Sequence, residues 1–279
     1  MQVEGKLAER FVVKPGKKLK LAKWDPADTT GMDDKSKYPK ILQTNIQRLF
    51  QLQTLLAASD KYAALVVLQA MDAGGKDGTI RHVMRGLNPQ ACRVSAFKVP
   101  TDEELHHDFL WRVHRVVPRR GEIGIFNRSH YEDVLAARVH KLVPQSVWSA
   151  RYGQINDFEE MLAKNNIMIF KFFLHISKEE QARRLEQRID NQRKNWKISL
   201  SDIKERKYWD DYMAAYEDAL TKCSTEWAPW YVIPGNKKWF RNLAISQILV
   251  DAMTAWKMEY PPAPADRSEL RAELRGEKA

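Results

Sequence analysis

The sequence AALVVLQAMDAGGKDGT, residues 63–79, contains an apolar strand, a glycine-rich turn and the start of a helix. The apolar run 63–68 is typical of a strand that is buried on both faces of a parallel sheet. The turn ends in GGKD, residues 74–77, and we expect the helix to begin at Gly78. In this order of elements, several backbone N–H groups and the positive end of the helix point at one place, where a bound phosphate is stabilised.

The turn matches the P-loop pattern, GxxxxGK followed by Ser or Thr, only in part. Gly75 and Lys76 agree with the pattern, whereas Ala70 stands at the first glycine and Asp77 at the hydroxyl position. The simpler alternative is a tight turn between strand and helix, with Lys76 as a solvated charge. The turn alone leaves both interpretations open.

Asp72 favours a metal-dependent phosphate site. A carboxylate in a loop that binds anions would repel its ligand unless a cation lay between them. We therefore expect Asp72 to bind Mg²⁺, which would bridge protein and phosphate oxygens. Lys76 would add a full positive charge at the same place. A metal-assisted phosphotransferase is the resulting hypothesis.

The composition indicates a globular protein with an anionic partner. A chain of 279 residues with 44% hydrophobic content can bury a sizeable core, and we expect one large α/β domain. Lys and Arg total 46 against 36 Asp and Glu, which gives a formal charge of +10 and favours nucleic acid, a membrane surface or a polyanionic substrate. Charge alone does not choose among these partners.

Cysteine usage and the N-terminal sequence predict a cytoplasmic protein. Cys92 and Cys223 are the only cysteines, so a reducing compartment without structural disulfides is expected. The first residues lack the apolar core of a signal peptide, and no run approaches the roughly 20 apolar residues that span a bilayer. No HExxH pair or GxSxG elbow is present, which argues against a zinc protease or a serine hydrolase with those motifs.

Alternating strands and helices predict an open parallel sheet that is covered on both faces. Further strands are expected at 93–99, 122–126, 167–176 and 229–234. Helices are expected at 36–59, 79–85, 102–116, 131–140, 147–165, 177–193, 202–221 and from about 240 to 256. Turn signals predict an irregular arm at 1–35, a domain at 36–260 and a flexible charged tail at 261–279.

Two other segments carry polar residues that suit a phosphate site. Asn127 and Arg128 follow the third predicted strand, at the edge of a parallel sheet where ligands bind. The helix 177–193 is rich in arginine and has only a thin apolar stripe, so we expect it to pack lightly and to move. Such a helix over a phosphate site is typical of a kinase lid. A solvated charged face is the alternative for any one of its arginines.

Three motifs resemble those of the polyphosphate kinase 2 family. They are DAGGKDGT at 72–79, FNRSHYEDV at 126–134 and KEEQARRLEQRIDNQRKNWKIS at 178–199. Three motifs at this spacing are much more specific than the P-loop alone. The resemblance implies a P-loop kinase three-layer α/β/α sandwich with a five-stranded parallel sheet and a helical lid at about 177–210. It also implies transfer of the terminal phosphate of inorganic polyphosphate to nucleotides, or the reverse, with Mg²⁺ or with Mn²⁺ in its place.

The resemblance also implies roles for single residues. Asp72 would position magnesium and the accepting phosphate, and Lys76 would hold oxygens of the transferred phosphate. Asn127 stands where many relatives have aspartate, and an amide ligates magnesium less strongly. The segment 127–132 resembles the class III subgroup, which accepts nucleoside mono- and diphosphates. The implied catalytic residues are Asp72, Lys76, Asn127 and Arg128, the nucleotide-binding residues are Asp72, Asn127 and Glu132, and the phosphate-binding residues are Gly74, Gly75, Lys76, Gly78, Arg128, Arg184, Arg188, Lys194 and Lys197.

The expected partners are inorganic polyphosphate and the nucleotides AMP, ADP and ATP, without nucleic acid or a membrane. Polyphosphate carries about one negative charge per phosphate, so its binding site needs a row of Lys and Arg side chains rather than groups that recognise nucleobases. The family often forms dimers or tetramers, and we expect a homodimer or a homotetramer. The alternatives are an ATP-dependent nucleotide or small-molecule kinase of the same fold and, more distantly, a basic nucleic-acid-binding module.

Overall fold

The computed structural model describes residues 6–32, 34–193, 195–263 and 267–276. Within these residues, five strands form one sheet. They are β1 (Ala63–Gln69), β2 (Cys92–Ala96), β3 (Ile123–Asn127), β4 (Ile167–His175) and β5 (Trp230–Pro234). All neighbouring strands are parallel, in the spatial order β2-β3-β1-β4-β5. The predicted five-stranded parallel sheet is confirmed.

Helices alternate with the strands along most of the described chain. The α-helices are α1 (Lys6–Phe11), α2 (Tyr38–Ser59), α3 (Lys76–Val83), α4 (Asp102–Leu105), α5 (Trp111–His114), α6 (Ala136–Val139), α7 (Gln145–Lys164), α8 (Lys178–Ile189), α9 (Leu200–Glu205), α10 (Trp209–Lys222), α11 (Lys238–Ala255) and α12 (Arg267–Arg275). Short 3-10 helices lie at Leu21–Lys23, Pro89–Ala91, His130–Asp133, Asn195–Lys197 and Arg206–Tyr208. This alternation is the α/β pattern that the sequence predicts.

Apolar cores lie on both faces of the sheet. On one face, Val66 and Leu68 of β1 pack with apolar residues of α2 and α11. On the other face, Leu65 and Val67 pack with apolar residues of α7 and α10. Since side chains alternate along a strand, this pattern buries β1 along its whole length. The predicted three-layer α/β/α sandwich is confirmed.

The register of the sheet brings two strand ends together. β1 lies between β3 and β4, and Leu68 is paired with Asn127, the last residue of β3. Because the two strands are parallel, the segments that follow them meet at the same edge of the sheet. The glycine-rich turn therefore lies beside the residues that follow Asn127.

Helix α3 begins at Lys76, two residues before the predicted start at Gly78. Gly75 has a φ of 108°, and its carbonyl accepts the Thr79 N–H at 2.9 Å. This left-handed backbone, which glycine adopts easily, turns the chain into the helix earlier than the sequence pattern indicates. Lys76 therefore belongs to the first turn of α3.

The predicted helices 102–116 and 131–140 are interrupted in the structure. The predicted helix 102–116 divides into α4 and α5, because Asp108 Oδ1 accepts the N–H two residues further on at 2.9 Å and turns the chain. The predicted helix 131–140 is a 3-10 turn followed by α6. At its start the Ser129 hydroxyl accepts the Tyr131 N–H at 3.2 Å. These polar side chains satisfy backbone groups locally, in competition with the helix.

The charged helices also differ from the prediction. α8 ends at Ile189, before the predicted end at Arg193, and Asn191 Oδ1 accepts the Arg193 N–H at 3.0 Å. The predicted helix 202–221 is divided into α9, a 3-10 turn and α10. The segment predicted as a lid at about 177–210 is therefore built from short helices rather than from one long helix.

The predicted arm and tail both contain helices that the sequence analysis missed. In α1, Leu7 and Phe11 lie one turn apart, and both are 2% exposed in the core. Val12 then pairs with Tyr231 at the outer edge of β5, so the arm completes the sheet on that side. α12 lies within the predicted tail 261–279. The flexibility of the tail and the domain boundaries stay predictions.

Both cysteines are free, and burial raises the pKa of Cys92 to about 11 and that of Cys223 to about 12. Such thiols are poor nucleophiles near neutral pH.

In the part of the chain that the structure describes, no helix has the length and the apolar character that crossing a bilayer requires.

A charged network lies in the core beside β4. Lys171 of β4 and Glu159 of α7 are both 0% exposed and form an ion pair. Lys171 Nζ also donates to Tyr131 Oη at 2.8 Å and to the Cys223 carbonyl at 2.6 Å. His130 Nε2 lies 3.1 Å from Glu159 Oε1. Burial by itself would raise the pKa of Glu159, but Lys171 and His130 outweigh burial and lower it.

Glu159→Ala should lower the free energy of unfolding by about 3–5 kcal/mol, because it leaves Lys171 as an unpaired charge in the core. Glu160→Ala is the matched control. It removes a carboxylate that pairs with the 69% exposed side chain of Lys164, and it should change the free energy by less than about 1 kcal/mol. Urea denaturation at neutral pH compares the variants.

The same pair predicts a pH dependence. A lowered pKa of Glu159 in the folded state stabilises the protein above the ordinary value of 4.5, and this stabilisation is lost as the pH falls below that value. The difference between the parent and Glu159→Ala should therefore shrink toward acid pH. Equal losses in the Glu159 and Glu160 variants at neutral pH would show that the buried pair of Glu159 and Lys171 does not stabilise the fold.

Candidate active site

A cleft of about 1450 Å³ opens at the carboxyl edge of the sheet, beside the glycine-rich turn. Most of the residues that the sequence analysis assigned to the site line this cleft. They are Asp72, Gly74, Gly75, Lys76, Gly78, Asn127, Arg128, Arg184 and Arg188. Glu132 is connected to the cleft through its ion pair with Arg128. Lys194 and the side chain of Lys197 lie outside the described residues.

Side chains of α8 hold the carbonyl groups of the glycine-rich turn. Gln181 Nε2 donates to the Asp72 carbonyl at 3.0 Å. Arg184 Nη1 donates to the carbonyls of Ala73 and Gly74 at 3.1 and 3.0 Å. Because a carbonyl oxygen repels a phosphate, directing three successive carbonyls toward α8 favours an anion in the cleft.

Arg184 is buried, with 6% of its surface exposed. Its Nη2 donates to the carbonyls of Gly235 and Asn236 at 2.5 and 3.2 Å, and its Nε donates to Glu180 Oε1 at 2.6 Å. The expectation that the whole of α8 packs lightly is therefore wrong for its first two turns, because these hydrogen bonds join it to two loops. The phosphate contact expected of Arg184 stays a prediction.

Lys76 is 9% exposed, and its Nζ donates to the Ala70 carbonyl at 2.9 Å. Burial lowers the pKa of Lys76, and the charge of Arg128 lowers it further. Asp72 and Glu132 act in the opposite direction. An anionic ligand would likewise favour the charged form of the ammonium group.

Arg128 links the glycine-rich turn to the turn after β3. Its Nη2 donates to Asp72 Oδ1 at 2.8 Å, and its Nη1 lies 3.5 Å from Glu132 Oε2. Burial by itself would lower the pKa of Arg128, but Glu132 and Asp72 outweigh burial and raise it. Burial raises the pKa of Glu132. Arg128 also has a φ of 64°, which is uncommon for a residue with a side chain and is typical of functional turns.

Asn127 forms a second connection between the two turns. Its Nδ2 donates to Asp77 Oδ1 at 2.8 Å. An aspartate at position 127 would place a carboxylate against Asp77, whereas the amide donates a hydrogen bond. The structure thus shows a local partner for the amide of Asn127.

The donor groups fit a magnesium ion that is held mainly by a ligand. Mg²⁺ is commonly bound through one or two carboxylates together with substrate phosphates and water. Asp72 and Asp77 both line the cleft and could supply those carboxylates. Among the described residues, no group of three or more potential metal-ligating side chains occurs. The arrangement therefore fits a metal that enters with phosphate rather than a site made only of protein ligands.

The family model of polyphosphate kinase 2 (PPK2) matches residues 32–261. The chain belongs to the polyphosphate kinase 2 family. The resemblance that the three motifs indicate is confirmed.

Two curated relatives of this polyphosphate kinase 2 family member match nearly the whole chain. The AMP/ADP-polyphosphate phosphotransferase of Meiothermus ruber is 52% identical over 254 residues, which cover 91% of this chain and 95% of the relative. The ADP-polyphosphate phosphotransferase of Rhodopseudomonas palustris is 47% identical over 275 residues, which cover 94% of this chain and 95% of the relative. The crystal structure of polyphosphate kinase 2 from Arthrobacter aurescens TC1 matches with a TM-score of 0.92 and 43% identity, over 97% of this chain and 96% of that one.

Sequence reasoning missed several residues that line the candidate cleft or contact its glycine-rich turn. Gln181 and Arg241 contact the glycine-rich turn, and Tyr38 and Trp239 line the cleft with their rings edge to face at 5.9 Å. Arg241 had a recognisable signal, because it is the one charge in the run WFRNLAISQILV of α11. Gln181 had none, since a polar residue is ordinary on a charged helix.

Gly75→Ala should disrupt the phosphate site. A Cβ at Gly75 would lie 1.9 Å from Arg241 Nη1, and the φ of 108° is unfavourable for alanine. A strained backbone costs about 1–3 kcal/mol, so we expect binding of inorganic tripolyphosphate to weaken by about tenfold or more. Isothermal titration calorimetry measures this affinity.

Gly153→Ala is the control for this variant. Gly153 lies in α7, and a Cβ there would meet nothing within 4 Å. Alanine is favoured over glycine inside a helix by about 0.5–1 kcal/mol, so this variant should be slightly more stable and bind tripolyphosphate as the parent does. Parental affinity in Gly75→Ala would show that the tight geometry of the turn is not needed.

Proposed function

We propose that this protein transfers the terminal phosphate of inorganic polyphosphate to AMP and ADP, forming ADP and ATP, and catalyses the reverse reaction. Two close relatives are named for polyphosphate phosphotransfer with ADP, one of them also with AMP. The observation that carries the proposal is the junction at the end of β1 and β3. There Lys76, Asp72 and Arg128 lie together at the mouth of a glycine-rich turn whose carbonyls point away.

The transfer requires two anions to be held in line. An oxygen of the acceptor's terminal phosphate forms a bond to the terminal phosphorus of polyphosphate. The bond between that phosphorus and its bridging oxygen breaks, and the shortened chain leaves with the electron pair. Lys76, Arg128 and the backbone N–H groups of the turn would stabilise the negative charge that develops. Little covalent chemistry is asked of the protein, so orientation and charge supply most of the rate.

The proposed roles combine the positions of the described residues with the motifs of the family. Asp72 would hold magnesium, or manganese in its place, and the bound metal would neutralise charge on the phosphate oxygens. Arg128 donates to Asp72 and would keep the carboxylate oriented while it contacts phosphate. Glu132 would lie near the acceptor nucleotide. The basic residues at the far end of α8 and beyond it would hold the polyphosphate chain; they are Arg188, Lys194 and Lys197.

The proposal also covers the compartment, the oligomeric state and the binding partners of this protein. We propose that it acts in the cytoplasm as a homodimer or a homotetramer and that it binds neither nucleic acid nor membranes. Size-exclusion chromatography with light scattering measures the oligomeric state. The net charge of +10 suits polyphosphate, and salt should weaken binding because polyphosphate is a polyanion.

One assay tests the proposed reaction. AMP or ADP is incubated with magnesium and long-chain polyphosphate, without added ATP, and we expect ADP and ATP to form. Removal of the metal with EDTA should abolish product formation. If no nucleotide product forms with polyphosphate but phosphate is transferred from ATP, the protein is instead an ATP-dependent kinase of the same fold.

Asp72→Ala and Lys76→Ala should each reduce turnover by about a hundredfold or more while the fold remains intact. Lys76→Ala removes a positive charge at the transferred phosphate, and Asp72→Ala removes the carboxylate that would hold the metal. Asp157→Ala and Lys164→Ala are controls of the same residue types on the exposed side of α7. The controls should retain parental turnover. Turnover near the parental value in Asp72→Ala or Lys76→Ala would remove the glycine-rich turn from the chemistry.

A further inference from the structure

Arg241 is a buried arginine of α11 that lies against the glycine-rich turn. Only 2% of its surface is exposed. Its Nη1 lies 3.4 Å from the Gly74 carbonyl, and its Nε and Nη2 donate to Asn242 Oδ1 at 3.2 and 2.9 Å. The guanidinium group is thus held in place by neutral oxygen atoms.

Arg241 has no acidic partner in the part of the chain that the structure describes. Its charged or titratable neighbours are Arg184, Lys238, His82 and Tyr38, of which the first two are basic. Burial and, to a smaller extent, the charge of Arg184 together lower the pKa of Arg241 to about 10. The group remains charged at neutral pH, but its charge is not compensated by a carboxylate.

The other buried lysines and arginines of the described residues have acidic neighbours, as Lys76 does in Asp72 and Glu132. Lys171 is 0% exposed and pairs with Glu159. Arg112 is 8% exposed and lies 3.6 Å from both Glu104 and Asp133. A buried charge without a partner is expensive, and most proteins avoid it. Arg241 is therefore the exception that needs a physical reason.

The glycines of the turn make room for Arg241. A Cβ at Gly75 would lie 1.9 Å from Arg241 Nη1, and a Cβ at Gly78 would lie 3.3 Å from Arg241 Nη2. The guanidinium group thus occupies the space beside the turn that side chains would otherwise fill. Its charge acts on an anion in the turn across a short distance and through protein of low dielectric, where the attraction is strong.

We infer that Arg241 is a fixed positive charge of the phosphate site, and that its unpaired burial destabilises the empty protein until a phosphate chain supplies the missing negative charge. Arg241 acts as a positioning and binding residue and takes no part in bond making. The inference rests on the proposed function, because it takes a polyphosphate chain as the ligand.

The proposal predicts opposite effects on stability and on binding. Arg241→Gln removes the charge and keeps a side chain that can still hydrogen-bond to Asn242. Without ligand, this variant should unfold at the parental temperature or above it, because an unpaired buried charge is gone. Its affinity for long-chain polyphosphate should fall by about tenfold or more, and the salt dependence of binding should become shallower by about one unit of slope.

Thermal unfolding, measured with and without polyphosphate, gives the first readout, and calorimetric titration at several salt concentrations gives the second. Arg241→Lys keeps the charge and should keep the parental salt slope. Arg138→Gln is the matched control, because Arg138 pairs with Asp218 at 2.7 Å. It should lower the unfolding temperature of the empty protein and leave the salt slope unchanged.

Each outcome decides the question. An Arg241→Gln variant that is less stable than the parent, or that does not fold without ligand, overturns the proposal, since the arginine would then be structural. Parental affinity and slope in that variant overturn it as well. Transfer of phosphate to AMP and ADP by the parent is measured separately on the same preparation. If the parent binds polyphosphate without transferring phosphate, the proposed function fails while the role of Arg241 is still tested.

Discussion

Hydrogen bonds from α8 to the glycine-rich turn are the constraint on which the site depends. The carbonyls of Asp72, Ala73 and Gly74 all accept hydrogen bonds from this helix. Ala73 has a φ of 58°, a strained value that persists only where surrounding contacts hold it. The helix that the sequence predicts as a mobile lid therefore also fixes the backbone conformation of the turn. The hydrogen bonds anchor the first two turns of α8, so the mobility that the sequence predicts stays a prediction only for its end near Ile189.

Oppositely charged side chains lie close together around the turn. Arg128 pairs with both Asp72 and Glu132, and the same two carboxylates favour the charged form of Lys76. This arrangement stabilises the charged forms of both cations, because the two carboxylates act on each of them. It also explains how a loop that carries an aspartate can still accept a phosphate. The carboxylate is already engaged by Arg128, so its repulsion toward an anion is reduced.

Local patterns in the sequence predicted the parts of the fold that local physics determines. Apolar runs revealed the strands, and the order of strand, glycine turn and helix revealed the phosphate site. Contacts between distant segments left no such pattern. Arg184 reaches Ala73 across 111 residues, and Arg241 reaches Gly74 across 167. For this reason Arg184 could be recognised as basic but not as buried. Interrupted helices such as 102–116 were missed because side chains like Asp108 cap the backbone only in the folded geometry.

Two buried cations of this protein show why the partner of a charge matters more than its burial. Lys171 has Glu159 beside it, and the pair is complete in the absence of ligand. Arg241 lies among neutral oxygens and other cations. Replacing a buried charge by an apolar group of similar volume is often neutral or stabilising, so the fold alone gives no reason for an arginine at that position. A phosphate chain in the adjacent turn supplies the reason, because its charge offsets the burial penalty at the moment of binding.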